Sequence, residues 1–206
     1  MGIENFYTFA ISTLLFIMTP GIDTVFVLNK SISEGKKSGV YATLGVNSGI
    51  MIHTLIGALG LSILIANSPI ALATIKYCGA VYLIYSGIST LLKRKNNTVA
   101  SLDNKPLASK PNSYFAGLIT NTLNPKVALL FLAFFPQFIS PTQIENPLPF
   151  VILGLSYAVM GTLWYLLLTF FASQCAEKLK ATQKTPLYLN TASGIVFILM
   201  GLLVAY

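Results

Sequence analysis

The sequence predicts an all-α integral membrane protein that crosses the bilayer six times, as two inverted three-helix repeats with helices 1 and 4 broken at proline. Three observations predict this fold: an apolar composition, six long apolar stretches, and basic residues confined to alternate loops. The 206 residues are 54% hydrophobic and 9% charged, with a mean hydropathy of +0.72. A soluble domain carries about 25% charged residues, so lipid must be the solvent for most of this surface.

Six apolar stretches are long enough to cross a hydrocarbon core of about 30 Å. Because unpaired backbone groups are very costly in lipid, each stretch should be helical. The first stretch lacks a basic n-region and is too long for the h-region of a signal peptide, so we interpret it as a retained span. The predicted spans are Phe6–Leu28, Val40–Ala66, Ile70–Leu92, Tyr114–Ile139, Leu148–Ser173 and Tyr188–Tyr206.

The loops between these spans alternate in basic charge. The second and fourth loops contain no Lys or Arg, and Lys76 and Lys126 lie inside spans. The other basic residues fall in the first, third and fifth loops: Lys30, Lys36, Lys37, Lys93, Arg94, Lys95, Lys105, Lys110, Lys178, Lys180 and Lys184. Cytoplasmic loops are the basic ones in membrane proteins, so both termini should lie outside. The net charge of +7 therefore reports topology, which argues against nucleic-acid binding.

A polar segment divides the chain near its centre. Residues 93–112 are rich in Asn, Ser, Lys and Pro, a composition typical of a flexible linker. The predicted organisation is a first three-helix repeat at 1–92, a cytoplasmic linker at 93–112 and a second three-helix repeat at 113–206. Because each repeat has an odd number of spans, the repeats must be inverted, as in many secondary transporters.

Each repeat carries a proline near mid-membrane beside polar residues. The two triplets are Thr19-Pro20-Gly21 and Asn124-Pro125-Lys126. Proline removes an amide donor and clashes with the preceding turn, so each helix should break. Thr19 and Asn124 are good N-cap residues, each followed by proline at the first helical position. Half-helices beginning inside the membrane would present free N–H groups, which bind carboxylates. A purely structural kink is the alternative for either proline alone.

Asp23 and Lys126 are the charged residues closest to these breaks. A charge at the bilayer centre costs about 2.5–3.5 kcal/mol on insertion scales, so such residues are usually functional or paired. Asp23 has the alternative role of balancing its own helix N-terminus. Lys126 has the alternative of a salt bridge to Asp23. Lys76 lies early in span three and should snorkel outward as an anchor.

His53 belongs to a stripe of small residues in span two, formed with Gly45, Gly49 and Gly57. Small residues at this spacing let helices approach closely, and the stripe is compatible with a homodimer. His53 is either a hydrogen-bonded helix contact or a proton carrier. No second His exists, which excludes a His-based metal site. The only cysteines, Cys78 and Cys175, should lie near opposite faces, so a disulfide is not expected.

Enzyme signatures are absent from the sequence. It contains no H-E-x-x-H, no P-loop, and no pair of carboxylates within the spans. The sequence therefore predicts a non-enzyme without a cofactor.

At these residues the sequence resembles the LysE/RhtB family of bacterial amino-acid exporters, over essentially the whole chain. The matching positions are Thr19-Pro20-Gly21-Ile22-Asp23, Gly35, Gly39, Gly45, Gly49, His53, Gly60-Leu61, Gly79-Ala80-Val81-Tyr82-Leu83, Gly87, Phe115, Gly117, Asn121, Asn124-Pro125-Lys126, Phe131, Phe134 and Pro136-Gln137-Phe138. The family pattern usually has a second proline where this chain has Ile22. The resemblance implies proton-driven efflux of a small amino acid or derivative, of the homoserine, threonine or leucine type, across the bacterial inner membrane.

The expected substrate site lies at the two breaks. We expect the substrate carboxylate at the half-helix N-termini with Lys126, and the substrate ammonium at Asp23. The expected substrate-binding residues are Thr19, Pro20, Gly21, Asp23, Asn124, Pro125 and Lys126. Asp23 and His53 are the candidates for proton coupling, and no metal site is expected. The alternatives are a metal or other small-ion transporter, a membrane thiol-redox carrier and a scaffold.

Overall fold

The computed structural model describes residues 2–67, 69–92, 112–174 and 185–205, and these residues are helical with no β-strand. The predicted all-α class is confirmed. Residues 93–111 of the predicted linker and Cys175 lie outside the described residues.

Eight α-helices make up the described chain. They are α1 (Phe6–Met18), α2 (Ile22–Ser33), α3 (Lys36–Asn67), α4 (Pro69–Leu92), α5 (Ser113–Thr122), α6 (Pro125–Leu129), α7 (Pro147–Gln174) and α8 (Thr185–Ala205). A π-helical turn at Leu130–Phe134 and a 3₁₀ turn at Phe135–Phe138 continue α6.

Three of the described helical segments are long and apolar enough to cross a membrane alone: Lys36–Gly60, Ala73–Leu92 and Pro147–Gln174. Two further crossings are bent pairs, α1 with α2 at 52° and α5 with the segment Pro125–Phe138 at 49°. These are the two predicted helix breaks. The described residues therefore supply up to five crossings by length and composition, and Gly194–Ala205 is a shorter apolar helix. The sixth crossing and the inverted repeat stay predictions.

The first loop is shorter than predicted. Helix α2 continues to Ser33 and α3 begins at Lys36, so only Glu34 and Gly35 connect them. Gly35 has a φ of +90°, a conformation that glycine adopts without steric cost. Lys30 and Lys36 consequently lie in helix ends rather than in a loop.

Glu34 ties three helices together at this end of the molecule. Its carboxylate accepts from Lys30 Nζ at 2.6 Å, Ser38 Oγ at 2.8 Å and Ser113 Oγ at 3.4 Å. The Lys30 contact is the main reason that the pKa of Glu34 lies below its usual range. The ammonium of Lys36 lies 5.0 Å from the centre of the Phe170 ring. The ends of α2, α3, α5 and α7 that adjoin the basic loops therefore meet at one end of the bundle.

The N-terminal residues lie at the other end of the α1–α2 pair. Glu4 N donates to Phe138 O at 2.9 Å, and Ser140 N donates to Gly2 O at 2.9 Å. These bonds flank an isolated antiparallel bridge between Ile3 and Ile139. The N-terminus and the predicted fourth loop therefore share one end, away from Lys30 and Glu34.

Glycines set the closest helix contacts in the bundle. A Cβ at Gly45 would collide with the main-chain carbonyl of Tyr114, and one at Gly117 would lie 2.6 Å from the carbonyl oxygen of Ala42. Helices α3 and α5 therefore meet backbone to backbone, as small-residue stripes allow. Gly57 faces the ring of Phe150 on α7. The glycine stripe of α3 is thus occupied within the chain, so a homodimer would need another surface.

We predict that Gly45→Ala lowers the thermal unfolding midpoint of the detergent-purified protein. Overpacking of this kind costs about 1–3 kcal/mol, and here a carbonyl of α5 would have to move. Gly60→Ala on the same helix is the matched control, because nothing lies within 4 Å of a Cβ at Gly60. Equal midpoints for the two variants would contradict a backbone contact between α3 and α5.

Candidate functional site

The two helix breaks meet at one cavity. The lining includes Thr19 and Gly21 from the first break, Asn124 and Lys126 from the second, and Asp23 between them. The remaining lining residues are Phe16, Ile17, Ile22, Thr24, Val127, Tyr157 and Tyr165. The structure therefore brings five of the seven predicted substrate-binding residues to the cavity: Thr19, Gly21, Asp23, Asn124 and Lys126. Pro20 and Pro125 form the breaks themselves without lining the cavity.

The second break has the predicted cap. Asn124 is the N-cap of α6, its side-chain oxygen accepts from Lys126 N at 3.1 Å, and Pro125 occupies the first turn. Asn124 is buried. Its side chain therefore supplies, within the protein, an acceptor that water would otherwise provide.

The first break differs from the prediction, because Thr19 is not an N-cap. Its hydroxyl donates backwards to Leu15 O at 2.7 Å, so Thr19 closes the C-terminal end of α1. The N-cap of α2 is Gly21, which has extended backbone and no side-chain cap. Pro20 lies between the helices rather than at the first helical position. Three residues, Thr19, Pro20 and Gly21, separate α1 from α2, so the first amides of α2 begin beyond Thr19.

Asp23 lies in the first turn of α2 and is buried. Its Oδ2 accepts from Asn121 Nδ2 at 2.9 Å and from Asn124 Nδ2 at 3.2 Å. Its Oδ1 has no hydrogen-bond partner among the described residues. Two neutral amides, one from α5 and one from the N-cap of α6, thus hold one carboxylate oxygen, and the other oxygen is uncommitted.

Lys126 reaches from the second break towards the first. Its ammonium lies 4.3 Å from the centre of the Phe16 ring and 4.0 Å from that of Phe197. A Cβ at Gly21 would lie 3.0 Å from Lys126 Nζ, so glycine leaves room for the ammonium there. Aromatic faces attract a cation without neutralising its charge.

The alternative of a salt bridge between Asp23 and Lys126 is wrong for this conformation. Among the described residues, the only ion pair within 4.0 Å joins Lys30 and Glu34. Asp23 and Lys126 nevertheless line the same cavity. The site therefore holds two charges of opposite sign that are not paired with each other.

His53 contacts the second break from α3. Its Nε2 lies 3.1 Å from Asn121 O, and its ring centre lies 5.7 Å from that of Phe131. The side chain is buried. His53 is therefore a hydrogen-bonded helix contact in this conformation, and it is absent from the cavity lining.

Sequence reasoning did not assign a role to Asn121, Tyr157 or Tyr165. Asn121 is fully buried and contacts Asp23 directly, while both tyrosines bring α7 to the cavity. One signal was available for Asn121: it lies four residues before Pro125, so its carbonyl has no helical donor. The tyrosines fall eight residues apart on one face of α7, but that spacing alone does not indicate a site.

The cavity is too small for an amino acid. Its volume is about 10 Å³, room for about one water molecule. Among the described residues, no three His, Cys, Asp or Glu side chains lie close enough to hold a metal ion.

Comparison with known proteins places these features in a family. The family model described as LysE type translocator matches residues 14–206. The chain is 32% identical over 195 residues to the Uncharacterized membrane protein YrhP of Bacillus subtilis (strain 168), covering 91% of this chain and 92% of that protein. It is 27% identical over 202 residues to the Leucine efflux protein of Enterobacter sp. (strain 638), covering 96% of this chain and 93% of that protein. No solved structure matches. With a family match over nearly its whole length, the chain belongs to the LysE type translocators, a family of membrane transporters.

Proposed function

We propose that this protein is a secondary-active exporter of a small amino acid or derivative, coupled to proton antiport, in the bacterial inner membrane. The observation that carries the proposal is the cavity between the two breaks, where Asp23 and Lys126 present opposite charges without pairing. A zwitterionic amino acid has one centre of each sign. The site offers one complementary group for each.

The proposed binding mode follows from the uncommitted groups. The substrate ammonium binds Asp23, whose Oδ1 has no partner among the described residues. The substrate carboxylate binds Lys126 and the N-terminal amides of α2 and α6, where helix dipoles favour negative charge. The name of the Enterobacter relative, Leucine efflux protein, supports an aliphatic substrate, and threonine and homoserine are the other candidates.

Export requires this small cavity to widen and to open to each side in turn. Because the cavity of about 10 Å³ excludes an amino acid, binding must be accompanied by movement of the half-helices. Asp23 is the proposed proton-coupling group, with His53 as the alternative. Protonation of Asp23 from outside neutralises the carboxylate, releases the substrate ammonium and returns the carrier with a proton.

Helix packing supports the proposed architecture of six crossings in two inverted repeats. In such an arrangement α1–α2 is equivalent to α5–α6, α3 to α7, and α4 to α8. Contacts between the two repeats should then occur in equivalent pairs. The contact of α3 with α5 corresponds to that of α7 with α1 and α2, and the contact of α4 with the π turn corresponds to that of α8 with α1. The contacts of α3 with α7 and of α4 with α8 each join two equivalent helices, so each contact is its own counterpart.

The proposed orientation places the basic loops in the cytoplasm and both termini outside. Lys30, Lys36 and Ser113 lie at one end of the bundle, and Ile3 and Ile139 lie together at the other. This separation agrees with the positive-inside rule.

Asp23→Asn should abolish export while the protein remains in the membrane. The amide keeps the size of the side chain but removes the negative charge that binds the substrate ammonium. We expect a fall of at least about tenfold in efflux, equivalent to about 1.4 kcal/mol, from cells loaded with leucine- or threonine-containing dipeptides. The matched control is Glu145→Gln, because Glu145 is exposed outside the predicted spans. Normal efflux by Asp23→Asn at normal protein level would remove Asp23 from the mechanism.

Lys126→Met should raise the apparent KM for the exported amino acid, because the substrate carboxylate loses its cationic partner. Lys76→Met is the control for loss of a lysine from a predicted span.

Sensitivity of the same strains to divalent metals tests the alternative of a metal transporter. Metal tolerance that depends on this protein, with unchanged amino-acid efflux, would favour that alternative.

A further inference from the structure

Pro125 leaves the carbonyl of Asn121 without its helical donor. In an unbroken helix that carbonyl would accept from the amide of residue 125, but proline has none. The oxygen instead accepts from Asn124 N at 2.9 Å and lies 3.1 Å from His53 Nε2. Because a carbonyl oxygen only accepts, His53 Nε2 must carry the hydrogen.

The side chain of Asn121 faces the other way, towards Asp23. Its Nδ2 donates to Asp23 Oδ2 at 2.9 Å. Gly49 makes space for this amide, because a Cβ at residue 49 would lie 2.6 Å from Asn121 Oδ1. Asn121 thus joins α3 to α2 through one residue, its main chain bound to His53 and its side chain to Asp23.

We propose that His53 and Asn121 are positioning residues: His53 holds the second break so that the Asn121 amide fixes one oxygen of Asp23 and leaves the other at the cavity. The efflux experiments that test this inference rest on the proposed function. His53 acts here as a hydrogen-bond donor and releases no proton during the cycle.

The surroundings of His53 favour a role in holding the second break over a role in carrying a proton. Its Nε2 faces a backbone carbonyl, which cannot take up a proton at ordinary pH. The ring is buried, lies beside Phe131 and does not line the cavity. A carrier needs a path to water or a hydrogen-bonded titratable partner, and among the described residues His53 hydrogen-bonds to the Asn121 carbonyl rather than to Asp23.

The decisive comparison is His53→Gln against His53→Leu in the efflux assay. Glutamine retains an N–H donor for the Asn121 carbonyl but does not titrate, whereas leucine has no donor. If His53 is a positioning residue, His53→Gln should keep efflux within about twofold of wild type, and His53→Leu should lose about tenfold. A tenfold loss corresponds to the free energy of about one buried hydrogen bond. Equal loss in both variants, at normal protein level, would overturn the inference in favour of proton carriage.

Asn121→Leu tests the second half of the chain of contacts. Because His53 acts through Asn121, the double variant His53→Leu/Asn121→Leu should lose no more efflux than Asn121→Leu alone. Thr54→Val is the matched control, because Thr54 is buried next to His53 in the chain and, among the described residues, its hydroxyl bonds only to Ile50 O within α3. Additive losses would contradict a shared role.

Thermal unfolding of the purified variants in detergent tests the same contacts without a substrate. His53→Leu and Asp23→Asn should lower the midpoint non-additively, because both act on Asn121. Additive shifts would overturn the inference. If no amino acid is exported by the wild type, the proposed function fails, and the unfolding cycle still decides whether His53 positions Asp23.

Discussion

A proline inside a membrane-buried helix leaves a carbonyl oxygen without an amide donor, and lipid offers no water to replace it. The chain meets this constraint twice, and the helices bend by 52° and 49° at the two places. At the first break the carbonyl of Phe16 accepts from Thr19 N at 3.2 Å. At the second, His53 and Asn124 serve the carbonyl of Asn121. Of the residues that satisfy these two carbonyls, Thr19 and Asn124 also line the cavity, whereas His53 does not.

The charges at the breaks are stabilised without being neutralised. Two asparagine amides hold Asp23, and two aromatic rings hold Lys126. A charge at mid-membrane costs about 2.5–3.5 kcal/mol on insertion scales. Hydrogen bonds to a charged group return about 1.5–3 kcal/mol each, and a desolvated cation–π contact about 2 kcal/mol. Neutral partners of this kind offset the burial of each charge and leave it available to a ligand of opposite sign.

Close helix packing gives the site its geometry. At Gly45 and Gly117 the backbones of α3 and α5 touch, and Gly49 leaves the space that the Asn121 side chain fills. Such contacts have no flexible side chain to absorb a shift. In the proposed export cycle, the movement that opens the cavity is therefore expected at the bends beside Pro20 and Pro125, where helical hydrogen bonds are already interrupted.

The sequence by itself determined the features that depend on neighbouring residues: helical spans in an apolar chain, breaks at Pro20 and Pro125, and a buried charge at Asp23. It failed at Thr19, because a hydroxyl can bond forwards to the next helix or backwards to its own, and only the conformation of the break decides. It also missed Asn121, whose partners lie 68 and 98 residues away along the chain. Which groups meet across the bundle is set by how the helices pack, and only the tertiary structure decided that the two charges share a cavity without pairing.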